Sequence, residues 1–216
     1  MWRIPVGAEI TSAIPDAAAT ERRGVYVMAH GAGGNMNDKA MIGAANALRR
    51  IGLDVVRFNF LYKEKGAGGP DRMPKLVDCF TAVVDRVREE YPRAPLYIGG
   101  RSMGGRAASM MAADGFDAAG LLLLAYPLHP PGQHDKLRDA HLPAITMPVL
   151  CFNGTRDTFC EPTLMMGVLN KAKTRWTMHW IEDADHGFHV PKKSGRSDAD
   201  VLEEVAEATS AWLGTL

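Results

Sequence analysis

A single serine stands among glycines in the stretch GGRSMGG at residues 99–105. The pattern G-x-S-x-G around Ser102 is the signature of a nucleophile elbow, a tight turn between a strand and a helix. The positions two before and two after the serine must lack a Cβ there, because the strand and the helix approach closely. Such a turn lifts the hydroxyl clear of the sheet, so we predict that Ser102 attacks a carbonyl carbon.

A serine hydroxyl needs two partners to act as a nucleophile, a histidine base and an acid that orients the base. Both follow Ser102 in the chain, Asp157 after one predicted strand and His186 after the last predicted strand. We therefore predict a catalytic triad of Ser102, Asp157 and His186. Asp183 and Asp185 compete for the role of the acid, but they lie so close to His186 in sequence that we expect them to shape its loop.

Acyl transfer also requires N–H donors for the negative oxygen of the tetrahedral intermediate. We predict the backbone N–H of Met103 and that of Ala32 in the HGAGG loop, with Gly33 as the alternative to Ala32. Other residues at the ends of predicted strands are candidates to line the substrate pocket: His30, Gly31, Gly33, Arg101, His129 and Arg156. For His30, a structural role in its loop is the alternative.

Basic residues are frequent in the segments that follow the strands. They are Lys63, Lys65, Arg72, Arg101 and Arg156. One hypothesis is that some of them hold a carboxylate or phosphate of the substrate, which arginine does bidentately. The alternative is that they are solvated charges at the rim.

Other interpretations of the same residues predict different chemistry. In one alternative, Ser102 is an inert turn residue. In another, His186 and His189 bind a metal, although HGFH contains a glycine and precedes a proline, which is unfavourable for a helix that would present both histidines. The glycine-rich HGAGGN loop lacks both nucleotide-binding patterns, and nothing marks the thiol of Cys160 as activated. We expect neither a metal nor a cofactor.

Short apolar runs alternate with amphipathic stretches from residue 24 onward. We predict strands at 24–30, 53–60, 94–100, 118–127, 147–154 and 174–182, and helices at 37–52, 73–92, 103–113, 161–172 and 198–216. Apolar strands alternating with helices are typical of a parallel sheet covered on both faces. The chemistry of such sheets gathers at the carboxyl ends of the strands, where the candidate residues lie.

The composition is that of an ordinary globular chain. Its 216 residues suit one domain, 1–216, and its 25 basic and 25 acidic residues leave no net charge to attract nucleic acid. The three cysteines form no disulfide or zinc pattern, and no run is apolar enough for a signal peptide or a membrane span. We expect a cytoplasmic protein, monomeric or homodimeric, with neither nucleic acid nor membrane as its partner.

Together these motifs resemble the α/β-hydrolase superfamily. The resemblance runs from MAHGAGGNMN through GGRSMGGR to DADHGF, and YPLHPPG and GTRD narrow it to a small lidless group. That group resembles the testis-expressed-protein and NSL-complex-subunit-like hydrolases, near the dienelactone hydrolases. The resemblance implies an α/β-hydrolase fold with a minimal, mostly parallel sheet of about six strands, helices on both faces and no cap domain. The N-terminal hairpin strands should be short or absent.

The resemblance and the triad together imply a serine hydrolase acting on a small-molecule ester or thioester. Ser102 would form an acyl-enzyme, and an open site without a cap would favour small or exposed substrates. A non-catalytic scaffold or binding protein with the same fold is one alternative. A peptidase for small peptides is another, because it would use the same residues.

Overall fold

A mixed eight-stranded sheet forms the middle layer of the molecule. The computed structural model describes residues 1–172 and 174–216. In chain order the strands are β1 (Trp2–Val6), β2 (Glu9–Asp16), β3 (Gly24–Ala29), β4 (Leu53–Phe58), β5 (Leu96–Arg101), β6 (Gly120–Leu124), β7 (Val149–Gly154) and β8 (Trp176–Ile181). They lie side by side in the order β1-β2-β4-β3-β5-β6-β7-β8.

Strands β3 to β8 are the predicted parallel strands. They pair in parallel from β4 at one side to β8 at the other. β3, β4, β6 and β7 are buried along their whole length, which explains their near-continuous apolar sequences. The α/β class and the mostly parallel sheet are confirmed.

The predicted count of about six strands is wrong, because β1 and β2 add an N-terminal antiparallel hairpin. The hairpin turns at Gly7, and β2 continues the sheet by pairing antiparallel with β4. Each strand contains a proline, Pro5 or Pro15, and several positions in each are exposed or half-buried. A proline inside a run argues against a strand unless it lies at an edge or near a strand end, and these two do.

In the described residues, six α-helices cover the two faces of the sheet. They are α1 (Lys39–Arg50), α2 (Leu61–Glu64), α3 (Met73–Glu90), α4 (Met103–Ala113), α5 (Pro162–Leu169) and α6 (Asp198–Leu213). One apolar cluster joins the sheet to α3, α4 and α5, and a second joins its other face to α1 and α6. Each of these five helices therefore buries one apolar stripe against strands, as its spacing predicts.

β3 and β5 are neighbours in the sheet although β4 lies between them in sequence. β4 lies on one side of β3, and β5 and the strands that follow it lie on the other side, so the strand order changes direction between β3 and β5. In open sheets of this kind, a crevice forms at the carboxyl ends of the two strands at such a point. The HGAGG loop follows β3, and Ser102 follows β5. The segment between β6 and β7 contains only a short 3-10 helix, Leu142–Ala144, so no cap domain covers this crevice.

None of the helices in the described part of the chain is long and apolar enough to cross a membrane.

Candidate active site

Ser102 occupies a strained turn between β5 and α4. Its backbone has φ +50° and ψ −115°, outside the regions that side-chain-bearing residues ordinarily adopt. The turn is held by a hydrogen bond of 2.9 Å from the Ser102 N–H to the Leu124 carbonyl. This backbone conformation projects the serine side chain away from the sheet, as the G-x-S-x-G pattern predicts.

Two glycines make this turn possible because β3 passes directly beside it. A Cβ on Gly100 would lie 2.3 Å from the Ala29 carbonyl oxygen, and one on Gly104 would lie 2.5 Å from the same atom. Gly100 also has φ +146°, a value that favours glycine. The absence of a Cβ at these two glycines therefore allows the elbow to pack directly against β3.

His186 brings the elbow and the loop after β7 together. It lies in the loop after β8, with its Nε2 2.9 Å from Ser102 Oγ. Its Nδ1 lies 2.9 and 2.8 Å from the two carboxylate oxygens of Asp157. Three residues that are far apart in sequence therefore form one continuous hydrogen-bonded chain from hydroxyl to carboxylate.

Asp157 is buried, and its carboxylate accepts further hydrogen bonds. Its side chain has no exposed area, whereas 24% of the His186 side chain is exposed. The Phe159 N–H donates to Oδ1 at 2.8 Å, and Asn153 Nδ2 donates to Oδ2 at 3.0 Å. A buried carboxylate is costly unless such donors compensate it. The His186 ring also packs against the Phe159 ring, with their centroids 4.3 Å apart.

Asn153 is a site residue that the sequence analysis missed. It is fully buried at the end of β7, and its Oδ1 also accepts the Tyr126 N–H at 3.2 Å. The only sequence signal was one amide at the end of an apolar strand, four residues before Asp157.

The competing aspartates shape the loop of His186. Asp185 Oδ1 accepts the N–H groups of Gly187 and His189 at 2.7 and 3.0 Å. Asp183 has φ +59° and begins the turn, with its N–H donating to Thr155 Oγ1. His189 points elsewhere, with Nδ1 2.6 Å from Asp198 Oδ2. Across the described residues, no group of three or more histidine, cysteine or acidic side chains is arranged to hold a metal.

The two predicted N–H donors belong to residues that line the same cavity as Ser102. Met103 is the first residue of α4, so its N–H has no acceptor within the helix. Ala32 lies in the loop after β3, where the Tyr62 hydroxyl donates to the Ala32 carbonyl at 2.7 Å. Within the part of the chain that the structure describes, neither N–H donates to another protein group. Both residues line a cavity of about 640 Å³ together with Ser102 and His186.

Three of the predicted pocket residues also line this cavity. They are Gly31, Gly33 and Arg101. Arg101 braces the loop of His186, because its Nη2 donates to the His186 carbonyl at 2.7 Å and its guanidinium lies over the Phe188 ring. Burial lowers the pKa of Arg101, and the nearby Asp157 carboxylate opposes this effect.

His30 lies beneath the cavity, which corrects the prediction that it lines the pocket. It is completely buried, and its Nε2 accepts the Phe60 N–H at 3.1 Å. Its Nδ1 then carries the proton and donates to the Gly31 carbonyl at 2.7 Å. Burial lowers the pKa of His30, so the neutral ring that these bonds require is favoured. This is the structural role that the sequence analysis gave as the alternative.

His129 and Arg156 are also outside the cavity, contrary to expectation. His129 is 1% exposed, and its Nε2 accepts the Glu161 N–H while its own backbone N–H donates to the Phe159 carbonyl. It therefore ties the segment after β6 to the loop that carries Asp157. Arg156 is exposed and donates to the Asp183 carbonyl at 3.1 Å.

Most of the basic residues predicted at the rim contact other groups or are exposed to solvent. Lys65 forms an ion pair with Glu9 at 2.5 Å, and Lys63 extends over the Tyr62 ring toward the Gly33 carbonyl. Arg72 is exposed at the start of α3. Of the five basic residues considered, Arg101 alone lines the cavity.

Comparison with known proteins agrees with this fold. The family model described as the alpha/beta hydrolase domain matches residues 22–214. Among solved structures, an alpha-beta serine hydrolase homologue from Coxiella burnetii has a TM-score of 0.79 at 22% identity, covering 96% of this chain and 95% of that chain. A lidless α/β serine hydrolase from Xanthomonas campestris has a TM-score of 0.73 at 24% identity, covering 98% and 93%. A dienelactone hydrolase from Anabaena variabilis has a TM-score of 0.76 at 18% identity, covering 99% and 95%.

Proposed function

We propose that this chain, which belongs to the alpha/beta hydrolase family, is a serine hydrolase that cleaves small esters or thioesters through an acyl-enzyme. The observation that carries the proposal is the hydrogen-bonded chain from Ser102 Oγ through the His186 ring to Asp157. A turn serine without a catalytic role needs neither a strained backbone nor a histidine backed by a buried carboxylate.

The first half of the reaction forms the acyl-enzyme. Ser102 Oγ attacks the carbonyl carbon of the ester while its proton passes to His186 Nε2, 2.9 Å away. Asp157 accepts the hydrogen bond from Nδ1–H and stabilises the imidazolium. The tetrahedral intermediate then collapses: its bond to the leaving oxygen or sulfur breaks, and the imidazolium returns the proton to the leaving group.

The second half regenerates the enzyme. A water molecule gives a proton to His186 Nε2 and attacks the acyl carbon, and the bond to Ser102 Oγ breaks as the serine regains its proton. In both halves the N–H groups of Met103 and Ala32 would donate to the negative oxygen. Each such donor is worth roughly 3 kcal/mol in the transition state. None of these steps calls for a metal or cofactor.

The shape of the site supports a small ester or thioester as the substrate. The cavity of about 640 Å³ adjoins Ser102, and no cap domain covers it. Such a site suits a small acyl group better than a long lipid chain, because nothing encloses the chain. Membership of the narrower group resembling testis-expressed-protein and NSL-complex-subunit-like hydrolases is part of the same proposal.

A fluorophosphonate probe tests this function directly, because it phosphonylates only an activated serine. We expect labelling at Ser102 by mass spectrometry, loss of labelling in Ser102→Ala, and strong reduction in His186→Ala. Ser194→Ala, a loop serine after β8, is the matched control and should label like the wild type. A folded wild-type protein that does not label would refute the hydrolase and favour a non-catalytic scaffold.

A further inference from the structure

Two arginines that the sequence analysis did not consider line the same cavity as Ser102. Arg106 lies on α4, and its backbone N–H donates to the Ser102 carbonyl at 3.0 Å. One helical turn, about 5.4 Å along the axis, therefore separates the two residues. Arg138 comes from the segment between β6 and β7. Two guanidinium groups thus reach the cavity from different elements.

Neither guanidinium has an acidic partner in the described part of the chain. Arg106 Nε is buried and has no hydrogen-bond partner, and neither arginine is in an ion pair. Within the described residues, the Arg138 guanidinium donates only a long bond of 3.4 Å to the Pro127 carbonyl. By contrast Arg57, which is buried, forms an ion pair with Asp16 at 2.7 Å, whereas Arg106 and Arg138 are half-buried and have no such partner among the described residues. A guanidinium that is partly withdrawn from water without a carboxylate is less well stabilised than a paired one, and an anion entering the cavity would supply the missing partner.

The two arginines lie close enough for the charge of one to act on the other. The pKa of Arg138 is lowered by burial and then by the charge of Arg106. The pKa of His141 is lowered in the same way, with Asp114 and Asp139 opposing the effect.

The two acids that line the cavity have other neighbours. Asp38 accepts two hydrogen bonds from Asn35, from its N–H and from Nδ2. Asp71 Oδ1 lies 3.6 Å from Lys75 Nζ, and its buried Oδ2 has no hydrogen-bond partner among the described residues. Neither carboxylate pairs with Arg106 or Arg138.

We propose that Arg106 and Arg138 form an anion subsite that selects esters carrying a free carboxylate a few bonds from the scissile carbonyl. The proposal rests on the proposed hydrolase function and names its substrate class. Guanidinium groups bind carboxylates through paired, charge-assisted hydrogen bonds, which add geometric selectivity as well as affinity. The reaction converts a monoester of a dicarboxylic acid and water into the dicarboxylic acid and an alcohol, and the bound carboxylate is unchanged.

Two substrates of nearly equal size test the selectivity. Monomethyl succinate carries a carboxylate where methyl butyrate carries a methyl group. We expect wild-type kcat/KM to favour monomethyl succinate, and Arg106→Gln or Arg138→Gln to reduce that preference about 10- to 100-fold, as loss of a charged hydrogen bond implies. Arg86→Gln, a change on the exposed face of α3, should leave the preference unchanged. Wild-type protein that hydrolyses methyl butyrate as well as monomethyl succinate would overturn the subsite and leave the hydrolase standing.

Binding to Ser102→Ala separates the subsite from catalysis. By calorimetry we expect this protein to bind succinate, and the added change Arg106→Gln to weaken binding about tenfold or more. Binding of inorganic phosphate in place of succinate would overturn the carboxylate assignment, and so would no binding of either. Succinate binding without fluorophosphonate labelling of the wild type would instead refute the hydrolase and keep the subsite.

A stability measurement excludes a merely structural role for Arg106. Because its Nε has no partner and it faces another positive charge, Arg106→Gln should leave the Tm unchanged or raise it in a buffer without carboxylates or phosphate. Succinate should raise the Tm of the wild type but not that of the variant. A clear fall in Tm without any succinate effect on either protein would contradict the proposal.

Discussion

At the scale of single residues, the carboxylate of Asp157 is fixed from three directions. His186, the Phe159 N–H and Asn153 all hydrogen-bond to it, so the carboxylate has little freedom to rotate. That rigidity fixes the plane of the His186 ring and hence the position of Nε2 beside Ser102. Asn153 acts through Asp157 and is therefore a positioning residue.

Asn153→Ala should lower kcat about tenfold or more with little change in KM, because Asp157 Oδ2 loses a buried donor. The free energy of unfolding should fall by about 1–3 kcal/mol for the same reason. Steady-state kinetics and chemical denaturation measure the two effects.

Asn170→Ala, at the exposed end of α5, is the matched control for Asn153→Ala and should change neither quantity. Unchanged kcat in Asn153→Ala, together with unchanged stability, would show that Asn153 does not position Asp157.

At the scale of elements, the elbow depends on how closely α4 approaches β3. Gly104 is in the first turn of α4, and the Ala29 backbone occupies the place where its Cβ would be. Any side chain there must push the helix away from the sheet. Ser102, at the start of that helix, would move with it.

Gly104→Ala should therefore lower stability by about 1–3 kcal/mol through overpacking and abolish fluorophosphonate labelling. Gly167→Ala in α5 makes the same chemical change with no atom within 4 Å of the added carbon. It should stabilise the protein by about 0.5–1 kcal/mol, because alanine is the better helix former. Thermal denaturation measures the change in stability of both variants. Equal changes in Gly104→Ala and Gly167→Ala would contradict the conclusion that the elbow depends on the close approach of α4 to β3.

At the scale of the whole molecule, the buried His30 and the half-buried His141 couple stability to pH. Burial lowers the pKa of both His30 and His141 in the folded protein. The unfolded chain, in which histidine has a pKa near 6.5, binds protons first as the pH falls. The contribution of these histidines to stability is therefore complete above about pH 6.5 and is lost as the pH falls toward their lowered folded values.

The free energy of unfolding should thus be smaller at pH 5.5 than at pH 7.5, measured by urea denaturation in a buffer without carboxylates. His141→Gln removes one of the two groups and should reduce the difference between the two pH values. His189→Gln, a change at an exposed histidine, is the control for replacing an imidazole by an amide. An undiminished difference in His141→Gln would contradict this assignment.

The sequence by itself determined the parallel sheet, its order of helices and strands, and the elbow. Those features depend on local patterns: apolar runs for buried strands, helical spacing, and glycines around Ser102. The proposed roles of Asp157 and His186 followed from their order and from the rule that parallel strands end at one edge. The hairpin of β1 and β2 was missed because Pro5 and Pro15 mask it, and because its pairing with β4 and the packing of Ile4 and Ala13 in the core are tertiary contacts.

Only the tertiary structure decided which polar residues face the cavity. His30, His129 and Arg156 follow strands as Ser102 does, yet none of them lines the cavity. The two histidine rings accept hydrogen bonds from backbone N–H groups, and the exposed Arg156 donates to a backbone carbonyl. Nothing in the sequence distinguishes Arg106 and Arg138 from the other arginines. In the structure both line the cavity, and neither forms an ion pair with a carboxylate of the described residues. Whether a charge has a partner depends on contacts between residues distant in sequence, and folding alone sets those contacts.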